Sequence, residues 1–246
     1  MSRSVMITGA SSGIGAALAH ELAARGHDLA LCARRLDKLE ALRTAIRRRH
    51  SAVRVEIQRL DVTQYDQVAP VLAGAADALG RLDTVVVNAG IGLGEKIGRG
   101  QFDKCRRTLE TNLLGAVATA DTAIGYFMTR GSGHLVGVSS IMAYRGLPHN
   151  AAYSASKAGL ATYLQAVRPY VRRKGIDVTI LYPGYIDTPL NDMLPHRPFL
   201  ISAEKGARIM ADRMARRVKA ATIPAWPWAL VKWMLRVAPD RFIAGI

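Results

Sequence analysis

An α/β fold, with a doubly wound parallel sheet flanked by helices on both faces in a single domain, is what the alternation of short apolar runs and longer amphipathic stretches predicts. Two further observations agree. The short runs are rich in Val, Ile and Leu, as strands buried on both faces must be. Four of the amphipathic stretches are followed by a glycine (Gly26, Gly80, Gly131 and Gly175), the residue that stops a helix with least strain.

In chain order, a first strand is expected at about 4–8, around Val5-Met6-Ile7, and a helix at about 13–25, closed by Gly26. A strand at about 28–33 precedes a helix at about 36–49, where Asp37 fits as a first-turn acid. A strand at about 53–60 precedes a helix at about 65–79, and a strand at about 84–88 precedes one long helix at about 102–129. A strand at about 134–139, a helix at about 151–173 and a strand at about 177–182 complete the alternation. Residues 185–201 carry Pro189, Pro195 and Pro198 and read as a mobile loop over a site. One main domain is expected over 1–220 and, over 221–246, a tail packed on that domain or on a partner subunit. In the tail, Ala221-Thr222-Ile223-Pro224 reads as a last strand and Trp226 to Val237 as a short apolar helix.

Half of the 246 residues are hydrophobic and 22% are charged, which excludes a disordered chain and a small disulfide-stapled module. Cys32 and Cys105 cannot build a disulfide framework or a four-cysteine metal site, and no metal is expected. No apolar run reaches the ~18 residues of a membrane span, and the apolar start is too short for a signal peptide. A cytoplasmic protein is expected. The 34 Lys and Arg against 19 Asp and Glu give a formal charge of +15, which attracts anions without choosing among them. The clusters Arg47-Arg48-Arg49, Arg172-Arg173-Lys174 and Arg213 to Lys219 fall near helix ends, where they complement the dipole. Nucleic acid is not expected, because no recognition motif accompanies the charge.

The first strand runs into Thr8-Gly9-Ala10-Ser11-Ser12-Gly13-Ile14-Gly15, where a helix begins. Glycines at such a junction let the backbone approach a pyrophosphate, and the helix N-terminus offers free N–H groups. The end of the second strand selects the dinucleotide. An acid there holds the ribose 2′-hydroxyl of NAD, whereas this chain has Cys32-Ala33-Arg34-Arg35, two guanidinium groups suited to the 2′-phosphate of NADP(H).

Taken with Asp61-Val62, Asn88-Ala89-Gly90, Asn112, Ser139-Ser140, Tyr153-xxx-Lys157 and Pro183-Gly184, the glycine motif resembles the short-chain dehydrogenase/reductase family, in its single-domain branch, from residue 1 to about 220. The resemblance implies a Rossmann-like fold. It also implies that Gly9, Ser11, Ser12, Gly13, Ile14 and Gly15 hold the cofactor together with Arg34 and Arg35. Asp61 and Val62 would contact the adenine, and Asn88, Ala89 and Gly90 would pass under the adenosine ribose. Val87 departs from the asparagine that many members have there. Pro183, Gly184 and Ile186 would border the nicotinamide, and Thr188 would reach the pyrophosphate.

Tyr153 and Lys157 lie four apart in a helix and share a face. A free tyrosine titrates near 10, and a neighbouring ammonium lowers that value, so Lys157 is expected to favour the phenolate. In the family the lysine also holds the nicotinamide ribose, Ser140 orients the reacting carbonyl and Asn112 supports a water chain to the lysine. These imply hydride transfer between NADP(H) and a ketone or secondary alcohol, with Tyr153 moving the proton and reduction as the working direction.

Substrate contacts are expected from Ile91, Leu93 and Glu95, from Met142, Tyr144, Leu147 and His149, and from Tyr185, Leu190, Met193 and Leu194. Most are apolar, which favours a hydrophobic carbonyl or acyl-type substrate. Arg145 reads equally as a holder of a substrate acid and as a solvated charge. All three tryptophans, Trp226, Trp228 and Trp233, lie in the tail beside Lys232 and Arg236. That composition suits a subunit or core contact and a membrane interface alike, and packing is placed ahead. The resemblance implies a homodimer or homotetramer through the helices holding Asn112 and Tyr153. Contact with an acyl carrier or a membrane surface is a sharper alternative for the basic charge. The alternative functions are a non-catalytic NADP(H)-sensing protein and a membrane-docked scaffold.

Overall fold

The computed structural model describes residues 3–148, 150–192 and 196–239. His149, Met193 and Leu194, expected on the substrate side, lie outside the described residues. A single parallel sheet organises the rest. Its strands are β1 (Ser4–Thr8), β2 (Asp28–Ala33), β3 (Val55–Arg59), β4 (Thr84–Val87), β5 (Gly133–Val138), β6 (Ile176–Pro183) and β7 (Ala220–Ile223). Their spatial order is β3-β2-β1-β4-β5-β6-β7. The expected α/β doubly wound sheet is therefore the observed fold.

Side chains alternate along each strand, so each strand feeds two cores. Val5, Ile7, Leu29 and Leu31 pack on one face with α1 (Gly13–Ala24), α2 (Leu36–Arg49) and α7 (Ala203–Ala215). Met6, Ala30, Val85 and Leu135 pack on the other with α3 (Tyr65–Leu79), α5 (Gly115–Arg130) and α6 (Ala151–Arg172). Gly26, Gly80, Gly131 and Gly175 all take positive φ, as helix stops require.

The expected long helix over 102–129 is broken. It consists of α4 (Phe102–Leu109), a π-helical segment Glu110–Leu114 and α5. Such a widened turn is uncommon and recurs at functional sites; here it holds Asn112. The tail forms β7 and α8 (Trp228–Val237), so the helix starts two residues later than expected. Strand order reverses between β2-β1 and β4-β5, and the crevice above that reversal is where ligands bind in open α/β sheets. No helix among the described residues is long and apolar enough to cross a membrane.

Candidate active site

The ends of β1 and β4 are tied together by two polar side chains. Thr8 Oγ1 donates to the Val86 carbonyl (3.3 Å) and accepts from the N–H groups of Asn88 (3.1 Å) and Ala89 (3.2 Å). The Asn88 amide donates to the carbonyls of Thr8 (2.9 Å) and Gly9 (3.3 Å). This leaves no room for a side chain at Gly9 or Gly15. A Cβ on Gly9 would lie 2.7 Å from Ala89 Cα, and one on Gly15 would lie 2.4 Å from the Gly9 carbonyl oxygen. Ser12 precedes α1 without a side-chain capping bond, which leaves the first-turn N–H groups facing an anion site. Thr188 is buried against this loop, its Cβ 3.3 Å from where a Cβ on Gly13 would sit.

The two serines of the loop face β2 instead. Arg35 Nη2 donates to Ser11 Oγ (2.9 Å) and Ser12 Oγ (2.8 Å), and its Nε to Ser11 Oγ (3.3 Å). With the guanidinium on their lone pairs, both hydroxyls keep an O–H free to donate to a ligand. Arg34 lies 3.9 Å from Asp61, whose other oxygen accepts from Thr63 Oγ1 at 2.8 Å. Val62 is buried, and Gly115 of α5 approaches it so closely that a Cβ there would lie 2.7 Å from the Val62 carbonyl oxygen.

Ser140 follows β5 and caps a short 3-10 turn, Ile141–Ala143, accepting from the Met142 N–H at 3.2 Å. Its hydroxyl is near enough to the Tyr153 phenol to lower that group's pKa. Tyr153 and Lys157 face each other on α6, with Lys157 Nζ 5.7 Å from the phenol ring centroid. The ammonium is buried and donates to the Val138 carbonyl (3.0 Å), its one acceptor among the described residues. Burial pushes its pKa down to about 8.

The net shift on Tyr153 is upward, contrary to the expected phenolate. Burial raises it most, the Ser140 hydroxyl lowers it, and Tyr185 raises it further. The ammonium stands over the ring face, and desolvation of the phenol outweighs it.

Asn112 is fully buried and clasps Ile91, donating to its carbonyl and accepting from its N–H, both at 2.8 Å. Gly90 brings these groups together. A Cβ there would lie 3.3 Å from both Asn112 Oδ1 and Lys157 Nζ.

Leu190 of the lid reaches the substrate side, its Cδ1 3.5 Å from a Cβ built on Gly92, where Tyr153 Cδ2 is 3.9 Å away. Two expected contacts are placed otherwise. The Ile186 side chain turns into the core beneath α7, where a Cβ on Gly206 would meet its Cδ1 at 2.8 Å, and is not open to the cleft. Glu95 is buried and accepts from the Ala152 N–H at 2.7 Å, so it caps the helix that carries Tyr153. Asn150, at the N-cap, makes no side-chain capping bond. Glu95→Ala is expected to lower stability by about 1–2 kcal/mol, from an unpaired N–H and a lost charge at the dipole. Glu95→Gln, which keeps an acceptor, should lose less than half as much in thermal unfolding.

Sequence reasoning did not assign Trp228 or Tyr182 to the site. Trp228 covers Gly184 and meets the rings of Tyr185 and Phe199 at 5.8 Å each. Tyr182 lies against Tyr144, ring centroids 4.8 Å apart. The absent side chain at Gly184 and the tryptophan 44 positions later are complementary, but no local pattern links them.

The sequence profile described as short chain dehydrogenase matches residues 3–198. An uncharacterized oxidoreductase of Mycobacterium tuberculosis is 39% identical over 238 residues, 96% of this chain and 94% of its own. Among solved structures, levodione reductase is similar with a TM-score of 0.84 at 25% identity, covering 92% of this chain and 98% of that one. The actinorhodin polyketide ketoreductase with NADPH gives a TM-score of 0.81 at 25% identity, covering 90% of this chain and 95% of that one.

Proposed function

This chain belongs to the short-chain dehydrogenase/reductase family and is an oxidoreductase of the kind that uses a nicotinamide cofactor; from that premise we propose that it reduces a hydrophobic ketone with NADPH. Two features of the chain fit a dinucleotide. The glycine loop is a cradle that any Cβ would fill, and the Lys157 ammonium is buried with one acceptor where ribose hydroxyls would supply more. When bound, the nicotinamide supplies the hydride.

The observation that carries the choice of NADPH is Arg35 on the Ser11 and Ser12 hydroxyls. A guanidinium and two hydroxyls form a fork of donors sized for a 2′-phosphate, and no carboxylate stands in it to accept from a ribose hydroxyl. Arg34 sits at the same strand end, where its guanidinium would be the second partner of the 2′-phosphate. Asp61 and Val62 would border the adenine. Gly9, Gly13, Ile14 and Gly15 would hold the pyrophosphate with Thr188, and Asn88, Ala89 and Gly90 the adenosine ribose. Pro183 and Gly184 would border the nicotinamide; a contact from Ile186 would have to come from its backbone.

For the carbonyl, Ser140 would donate a hydrogen bond to the oxygen, and Tyr153 would deliver its proton to that same oxygen. Burial keeps that phenol protonated, which suits reduction. Lys157 would hold the nicotinamide ribose, and Asn112, clasped to Ile91, fixes the turn beside it. Leu190 beside Gly92 gives the cleft an apolar side, and levodione reductase and the polyketide ketoreductase are both named for ketone-type substrates. A homo-oligomer through α5 and α6 belongs to the same proposal, supported by exposed Leu114 and Tyr170 near those helices.

The test is cofactor discrimination. Arg34→Ala with Arg35→Ala is expected to raise the KM for NADPH by roughly 10²-fold, two charge-assisted contacts at ~1.5 kcal/mol each, with NADH changed little. Equal losses for both cofactors would remove the 2′-phosphate role.

A further inference from the structure

We propose that α8 rests on an anionic lipid surface, with its apolar stripe in the headgroup region and its cations on lipid phosphates. The helix has two faces. The inner one is Trp228, buried on Gly184, Tyr185 and Phe199. The outer one carries Leu230, Trp233, Met234 and Val237, exposed at 50%, 61%, 58% and 76%. Their spacing (i, i+3, i+4, i+7) is that of a single helical stripe, and among the described residues nothing covers it. Trp226, exposed at 74%, extends the apolar surface at the N-terminal end.

Cations border this stripe. Lys232 and Arg236, one turn apart, lie over the Tyr144 ring at 5.5 and 4.9 Å and over the Trp233 ring at 6.0 and 5.6 Å. The aromatic rings thus hold both charges at the edge of the apolar face. Beside them a cavity of about 250 Å³ is lined by Tyr144, Tyr182, Arg213, Thr222 and Lys232. From Arg213 to Pro239 the sequence contains no Asp or Glu.

That absence decides between occupants. A second copy docked here by a twofold axis would set Lys232 and Arg236 against the same basic segment, with no acid in it to pair them. An anionic membrane supplies the missing charge. Tryptophan beside Lys and Arg on a short amphipathic helix suits the headgroup layer, where the ring has an apolar body and a polar N–H. The packing preference read from the sequence therefore applies to Trp228, and the outer face takes lipid.

The experiment is flotation of the full-length protein with vesicles of phosphatidylcholine and with vesicles of an equimolar phosphatidylcholine–phosphatidylglycerol mixture, paired with analytical ultracentrifugation. The wild type is expected to float with the mixed vesicles only, and less so as salt rises. Lys232→Gln with Arg236→Gln should reduce partitioning roughly 20-fold, about fivefold per cation. Trp233→Ser with Met234→Ser, at exposed positions, should reduce it at least ~10-fold with sedimentation unchanged. Failure of the wild type to float with the mixed vesicles overturns the proposal. So does a Trp233→Ser, Met234→Ser variant that changes sedimentation while floating as the wild type does, which would assign the stripe to a second copy.

Discussion

Tyr153→Phe is expected to lower ketone reduction at least ~10³-fold, within the range general acid catalysis contributes, while leaving NADPH affinity within about threefold. The substitution removes one oxygen. The ring remains in its half-buried place beside Gly92 and Leu190, and Lys157 keeps an aromatic face beneath it. What is lost is the proton donor. Because burial already holds this phenol protonated, the wild-type reduction rate should stay flat through neutral pH and fall in basic medium, first as Lys157 loses its proton and then as the phenol ionises. NADPH oxidation over a panel of hydrophobic ketones gives the rate, and fluorescence titration gives the affinity. Turnover retained in the phenylalanine variant would take Tyr153 out of the proton path. Tight NADPH binding by the wild type with no oxidation on any ketone would favour a cofactor-sensing protein instead.

The parts of the fold and site that local sequence dictates were legible before any coordinates. A strand ending in Thr8, followed by glycines and a helix, needs only the backbone to define an anion site, and Tyr153 and Lys157 share a face by helical geometry alone. The rest depends on contacts far apart in the chain. Glu110-Thr-Asn-Leu-Leu114 is ordinary helical sequence, and its π turn accompanies the clasp of Asn112 on Ile91, 21 residues away. Glu95 looks like a polar loop residue until α6 arrives to present the Ala152 N–H. Ile186 looks like an open apolar contact until Gly206 gives it a slot in the core. The direction of the Tyr153 shift was misjudged for a related reason. Spacing shows that a cation is near, but only burial shows that desolvation outweighs it.

Lys157→Met is expected to make the protein without cofactor more stable and the enzyme inactive. The lysine titrates at about 8 in the folded protein against an ordinary 10.5. Folding therefore opposes its charge, at a cost of about 3 kcal/mol when both states are protonated. The sign follows from proton binding. Between pH 8 and pH 10.5 the unfolded chain holds the proton that the folded chain has released, so this group's contribution to stability rises with pH across that window. Below pH 8 the penalty is fully present; above 10.5 it is gone. Methionine has the length of the stem and no charge, so its stability should show no rise in that window. At pH 7 the gain is offset by leaving the Val138 carbonyl without the Nζ donor, about 1 kcal/mol, for a net increase of about 1–2 kcal/mol. Turnover should fall at least ~10³-fold, because the proposed support for the nicotinamide ribose and the charge beside the phenol go together. Chemical denaturation of both proteins from neutral to basic pH, without NADPH, measures the first part. Should the methionine variant be less stable at neutral pH, with the same pH slope as the wild type, the buried ammonium would be a net structural asset and not a charge held in place for the cofactor.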